Sequence, residues 1–248
     1  MKKIVALWLV LVLAGCEKPG DCIKSAGATT VKTYDGFSFH TVLVNRGIAL
    51  VIAQGDVYKV EVQAGENLVN DITVKVENGV LTLEDQTTCN WVRDYGQTVV
   101  YITAPNLTDI YAKTELPIVS RGTLTFPDLH IVSMDSYDSY NGTGTGDFYL
   151  NIDNQNLMIE NNTVSRFYLS GHTNNLQLSV YESGGIFYGQ ELMAEQVVLY
   201  HRGSNDLYVH PVQSISGNIF NIGNVFSVRR PPLIDVTEHY QGRLFVLE

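Results

Sequence analysis

Six histidines, three cysteines and a scatter of carboxylates are the side chains of this sequence that could do chemistry, and their spacing argues against most of it. His40, His130, His172, His201, His210 and His239 form no HxH or HExxH pair, so the spacings that hold zinc are missing. Asp135 and Asp138, with Asp147 and Asp153 beyond a glycine-rich stretch, come nearest to a carboxylate cluster. Polysaccharide cleavage needs such groups gathered on one face, paired or around calcium, whereas Asp is also an ordinary turn residue. No GxSxG elbow occurs, and Asn141-Gly142-Thr143-Gly144-Thr145-Gly146 lacks the lysine and following helix of a phosphate loop. The expectation is a protein that is not an enzyme, with no catalytic residues, no metal and no cofactor.

Aromatic side chains are better placed for function. If Phe148 and Leu150 point inward on a strand, Tyr149 points outward, and the same parity puts Tyr168, Phe187 and Tyr208 outside. These four are the candidate ligand-binding residues. Stacking on one another would stabilise the fold by about 0.5–1.5 kcal/mol a pair. Alternatively they form a flat platform for sugar rings or an apolar partner, since clustered exposed aromatics are costly unless used. Trp91, with Arg93 and Tyr95, reads as a smaller patch with a buried, end-capping role.

These positions depend on a repeat. Phe148-Tyr149-Leu150, Phe167-Tyr168-Leu169, Ile186-Phe187-Tyr188, Leu207-Tyr208-Val209 and Phe226-Ser227-Val228 are spaced by 19, 19, 21 and 19 residues. Leu157-Met158-Ile159, Leu176-Gln177-Leu178 and Val197-Val198-Leu199 keep step at 19 and 21. Short strands repeating near 20 residues, with turn formers between, are the footprint of a β-solenoid, in which each coil buries its inward side chains only against its neighbours. Leu157, Leu176 and Val197 are expected to form one internal ladder, Ile159, Leu178 and Leu199 a second, and Phe148, Phe167, Ile186, Leu207 and Phe226 a third. A sandwich also has short strands but gives two ladders no reason to share a step. The stretch 129–156 breaks the period, with 141–146 as an inserted loop. Upstream, short alternating runs begin at Phe37, Asn78-Gly79 marks a hairpin, and Gly65 to Ile72 has room for one helical turn. The fold class is therefore all-β: a parallel β-solenoid (β-helix) with an N-terminal β-hairpin-rich capping region.

Compartment is legible at the start of the chain. Met1-Lys2-Lys3, eleven uncharged residues and Leu13-Ala14-Gly15-Cys16 read as a bacterial lipoprotein signal, too short to span a bilayer. Cys16 is the expected lipid attachment site, and acyl chains add about 0.8 kcal/mol of membrane binding per buried CH₂. Glu17, where an inner-membrane retention signal would place Asp, favours the outer membrane. Cys22 and Cys89 remain, in an oxidising compartment, and a disulfide between them would contribute about 4 kcal/mol; two inert thiols are the other reading. Without Lys2 and Lys3 the chain carries 14 basic and 26 acidic side chains, and nucleic acid is excluded as a partner for want of clustered cations. The divisions expected are 1–15 signal peptide, 16–33 lipidated tether, 34–104 N-terminal β region, and 105–248 solenoid repeats with a C-terminal cap. Nothing in the sequence sets an oligomeric state.

Several motifs carry a family resemblance. They are Asp21-Cys22 after the lipobox, Phe37-Ser38-Phe39, the run from Val44 to Ile52, Gly55-Asp56-Val57-Tyr58-Lys59-Val60, Gly65-Glu66-Asn67-Leu68, Asn78-Gly79-Val80-Leu81-Thr82-Leu83, Cys89-Asn90-Trp91 and the run from Tyr101 to Leu107. With them the chain resembles the auto-transporter adhesin head GIN domain family of lipoproteins from Bacteroides-like bacteria. The resemblance is strongest over 37–110 and implies a solenoid-like architecture and a role at the cell envelope; it brings no catalytic residues. The expected function is recognition of a glycan or an envelope protein through the lateral face, with a structural scaffold in an envelope assembly as the alternative and a polysaccharide-cleaving enzyme third. After Leu107 the chain departs from the family pattern, with Lys113-Thr114-Glu115-Leu116-Pro117 where a small, glycine-rich segment is expected.

Overall fold

The computed structural model describes residues 22–87, 90, 91, 94, 96–137, 140–182 and 184–247. Alternating apolar and polar residues make strands of nearly all of it; β7, for example, buries every second side chain. The strands are β1 (Thr29–Tyr34), β2 (Thr41–Asn45), β3 (Ile48–Gln54), β4 (Lys59–Gly65), β5 (Ile72–Glu77), β6 (Val80–Asp85), β7 (Thr98–Ala104), β8 (Asp109–Lys113), β9 (Ile118–Leu124) and β10 (Asp128–Ser133). They continue as β11 (Ser136–Tyr137), β12 (Tyr140–Asn141), β13 (Phe148–Asn161), β14 (Arg166–Val180), β15 (Ile186–His201), β16 (Leu207–Ile219), β17 (Val225–Ser227), β18 (Leu233–Glu238) and β19 (Leu244–Val246). Seventeen belong to one mixed sheet, and β11 and β12 form a separate hairpin. No α-helix occurs among the described residues; the expected helical turn is a 3-10 turn at Val69–Asp71.

Two arms of the sheet meet on β13. One runs β1–β4–β7–β3–β9 and pairs with the first half of β13; the other runs β5–β6–β2–β8–β10 and pairs with its second half. Beyond β13 the long strands β14, β15 and β16 pair in parallel, each contributing to both walls, and β17, β18 and β19 follow. Among the described residues, antiparallel pairing in the large sheet is confined to β1, β4, β5, β6 and β7. Asn78 (φ 50°) and Gly79 (φ 77°) turn β5 into β6, the two consecutive left-handed residues of a type I′ hairpin.

Two of the three expected ladders form as read. Leu157, Leu176 and Val197 are register partners, as are Ile159, Leu178 and Leu199, and all six are buried in a single core. The third is corrected. Phe148 and Phe167 pair, but their next partner is Phe187, followed by Leu207 and Val225; Ile186 and Phe226 are half-exposed. The cause is how two extra residues are distributed, one before Phe187 and one after Tyr188. Phe167 to Phe187 is a step of 20, yet Leu176 to Val197 is a step of 21, because the register shifts between Tyr188 and Glu191. This bulge inverts the parity that a common step would have given. Gly189 sits in it, where an added Cβ would lie 2.2 Å from the Phe187 ring.

The departing segment and the inserted loop belong together. Thr145 and Gly146 donate backbone hydrogen bonds to the Thr114 carbonyl (both 2.9 Å), and the Lys113 ammonium bonds the Met134 carbonyl. Tyr137 and Tyr140 of the hairpin lay their rings on Tyr111 at 5.6 and 4.9 Å, closing a small apolar cluster with Leu43 and Val132 on the outside of the wall.

Candidate functional site

The strand register builds an outer column of six rings. Tyr149, Tyr168, Tyr188, Tyr208, Phe226 and Phe245 stand on β13, β14, β15, β16, β17 and β19 as successive partners. Their centroids are 4.9, 4.8, 5.7, 5.1 and 5.2 Å apart and adjacent planes lie within 18° of each other. Parallel strands space identical positions by about 4.8 Å, so rings that share a rotamer stack in this way. Each of the four inner rings has a neighbour against both faces. Solvent therefore meets mainly ring edges and four phenol hydroxyls, and the terminal rings Tyr149 (43% exposed) and Phe245 (46%) are the most exposed.

Polar ladders flank the column. Arg166 donates its backbone N–H to Asp147 (3.1 Å) and holds the same carboxylate in a 3.9 Å ion pair. Farther along that side Asn224 Nδ2 donates to Asp206 (3.1 Å), and on the other side Asn151 Nδ2 donates to Ser170 Oγ (2.9 Å). Burial, and next the negative charge of Asp147, raise the Tyr149 phenol above its ordinary value, so it remains a protonated donor at neutral pH. Toward the N-terminus the column passes to Val119 and Val51 and then Tyr101, whose ring lies 4.9 Å from the Arg121 guanidinium. Such a strip can offer aligned hydroxyls and apolar edges to a partner; it cannot lay ring faces flat against a sugar.

Of the four candidate residues, Tyr149, Tyr168 and Tyr208 stand in this column and Phe187 does not. Phe187 is 1% exposed, and Tyr188 takes its place outside because of the bulge. Tyr188, Phe226 and Phe245 escape a reading by common step, although the Phe-Tyr and Val-Phe pairs at 187–188 and 225–226 carry the signal of the inner and outer members. Trp91 is 77% exposed, which overturns the buried end cap; Arg93 and Tyr95 lie outside the described residues. So do Cys16 and Cys89. Cys22 is buried, and its carbonyl accepts a hydrogen bond from the Trp91 N–H at 2.9 Å.

The histidines are dispersed. His130 bridges Asp109 (3.4 Å) and Glu160 (3.0 Å), and Glu160 also accepts from the Tyr181 hydroxyl (2.8 Å). Burial lowers the His130 pKa, but the two carboxylates outweigh it and the net shift is upward. His172 sits between Asp153 and Glu195 at 3.6 and 3.5 Å. His201 is fully buried, and that burial pushes its pKa down to about 4, so it is a neutral core residue. Among the described residues no three His, Cys, Asp or Glu side chains gather as a metal site.

Several solved structures share this fold at low sequence identity. A putative adhesin from Bacteroides fragilis superposes with a TM-score of 0.79 at 18% identity, over 90% of this chain and all of that one. Putative adhesins from Parabacteroides distasonis (0.65, 15% identity, 90% and 100% covered) and Parabacteroides merdae (0.61, 13%, 91% and 99%) follow. At these identities the likeness is one of fold. No curated protein matches the chain. The family described as "Putative auto-transporter adhesin, head GIN domain" matches residues 38–231. Spanning most of the sequence, that match makes this chain a member of the head GIN domain family.

Proposed function

We propose that this protein is a non-catalytic recognition module of the cell envelope, held at the outer membrane by a lipid on Cys16, and that its outer ring column meets a glycan or an envelope protein. The observation that carries the reading is the column itself: six rings in one exposed line, four bearing hydroxyls. Membership of a family described as adhesins supports a role in recognition at the cell surface. In the same reading 105–248 are the coils and C-terminal cap of a parallel β-solenoid, 34–104 its N-terminal cap and 16–33 the tether. The parallel pairing and the buried Leu157 and Ile159 columns favour this arrangement. A Cys22–Cys89 bridge would staple tether to cap, and the contact of Trp91, two residues beyond Cys89, with Cys22 favours it.

The test is a glycan array and an envelope-extract pull-down with the mature chain and a Tyr149→Ala/Tyr168→Ala/Tyr188→Ala/Tyr208→Ala variant. Loss of a saturable ligand in the variant is expected; equal binding by both removes the column from recognition. One observation favours a scaffold role instead: the inner rings spend their faces on each other, so stacking alone can account for them. A variant that loses stability while every binding partner is retained would select that reading.

A further inference from the structure

A second set of rings lies at a corner of the same coils and is built differently. Tyr181, Arg202 and Phe220 are the first residues after β14, β15 and β16, and the strand register brings them side by side. Continuing the register Val180, His201, Ile219, Glu238 by one residue aligns Tyr181, Arg202, Phe220 and His239. Arg202 interrupts the aromatic positions. Tyr200, two residues earlier, fills the gap, with its centroid 5.4 Å from Tyr181 and 5.1 Å from Phe220 at interplanar angles of 50° and 53°. Rings tilted so strongly leave parts of each other's faces open, unlike those of the outer column, although His239 stacks on one face of Phe220 at 4.4 Å and 9°. They border an open cleft of about 510 Å³ lined by Glu182, Tyr200, Arg202, Phe220 and Asn221.

The polar groups of this cleft are not spent on each other. Glu182 and Arg202 are both exposed, and among the described residues neither belongs to an ion pair. Asn221 donates through Nδ2 to the Arg202 carbonyl (3.0 Å), which orients its amide. The wall behind is fixed and neutral: Tyr181 is bonded to Glu160, and burial, then that carboxylate, push its phenol up to about 12.

The geometry points to a binding site, separate from the outer column, for a pyranose that carries a carboxylate. A guanidinium offers only donors, in a planar fork that matches a carboxylate. The Glu182 carboxylate and the Asn221 amide oxygen are acceptors and call for the hydroxyl donors of a sugar, not for a second anionic group. The open part of the Tyr200 ring, with the edge of Phe220 that His239 leaves free, suits the C–H face of a saccharide ring. A polyanion is disfavoured, since Arg202 is a single cation on a chain of net charge −10.

The mature chain would be titrated with methyl glucuronide and methyl glucoside by ligand-observed NMR at neutral pH and low salt. Saturable glucuronide binding is expected, with the glucoside about tenfold weaker, the loss of one charge-assisted contact. Arg202→Lys should weaken glucuronide about tenfold while Tyr168→Ala leaves it unchanged, which separates this site from the outer column. Arg202 is exposed, so the variant keeps the wild-type circular dichroism; Glu182→Gln, equally exposed, checks the opposite side of the cleft through weaker binding of both sugars. No saturable glucuronide binding, equal affinity for the glucoside, or indifference to Arg202→Lys would each overturn the site.

Discussion

Phe148, Phe167 and Phe187 point into the core from positions whose next residues, Tyr149, Tyr168 and Tyr188, stack along the outside. The inner rings of Phe148 and Phe167 lie 4.4 Å apart at 7°, the outer rings of Tyr149 and Tyr168 4.9 Å apart at 3°. Ring geometry is thus almost the same on both sides of one strand pair, because register imposes it. What differs is water: the inner rings are fully removed from it and the outer ones are not. Stacking reports the fold, whereas stability follows area buried.

The comparison can be broken at several points. Phe167→Ala should have the largest effect, lowering unfolding free energy by about 3–5 kcal/mol in urea titrations, as for other fully buried rings. A loss below about 1 kcal/mol would show that the inner column is not core. Tyr168→Ala, one residue along, removes two stacking contacts and should cost about 1–3 kcal/mol; a loss equal to that of Phe167→Ala would erase the distinction between the faces.

The outer surface should also respond to pH. His130, raised above 6.5, contributes fully below that value and loses its contribution as pH rises through its folded pKa. Asp109 is held below 3.8, chiefly by its hydrogen bond to His130, and its contribution disappears only as pH falls through that lowered value. The pair is therefore most stabilising between about 4 and 6.5. His130→Gln should cost about 1.5 kcal/mol at pH 5.5 and flatten the alkaline-side decline, measured by urea unfolding across pH. An unchanged pH profile would remove His130 as its cause. Phe245→Ala should be mildest, about 0.5–1.5 kcal/mol, since that ring has one stacking neighbour; an effect as large as that of Tyr168→Ala would mean the column acts as a unit.

Much of this was legible before the fold was known. The Asn78-Gly79 hairpin and the Leu157 and Ile159 ladders are local or strictly periodic, and they read correctly. The outer column was legible at Tyr149, Tyr168 and Tyr208 and misread at Phe187, where a five-residue turn and a bulge split the extra residues between them. The corner cleft left no periodic trace, because its members Glu182, Arg202 and Asn221 are turn residues of unlike type. The His130 contacts join β8, β10 and β13, strands far apart in sequence.

By itself the sequence determined the all-β character, the repeat near 20 residues and most of the buried columns, since alternation and period are properties of a chain laid flat. Only the tertiary structure decided which member of Phe187-Tyr188 faces water, which ring faces stay open, and where Arg202 meets Tyr200 and Phe220. The physical reason is parity: in a strand one residue of slip exchanges inside for outside, and only pairing with the neighbouring strands assigns that residue to a turn or to a bulge.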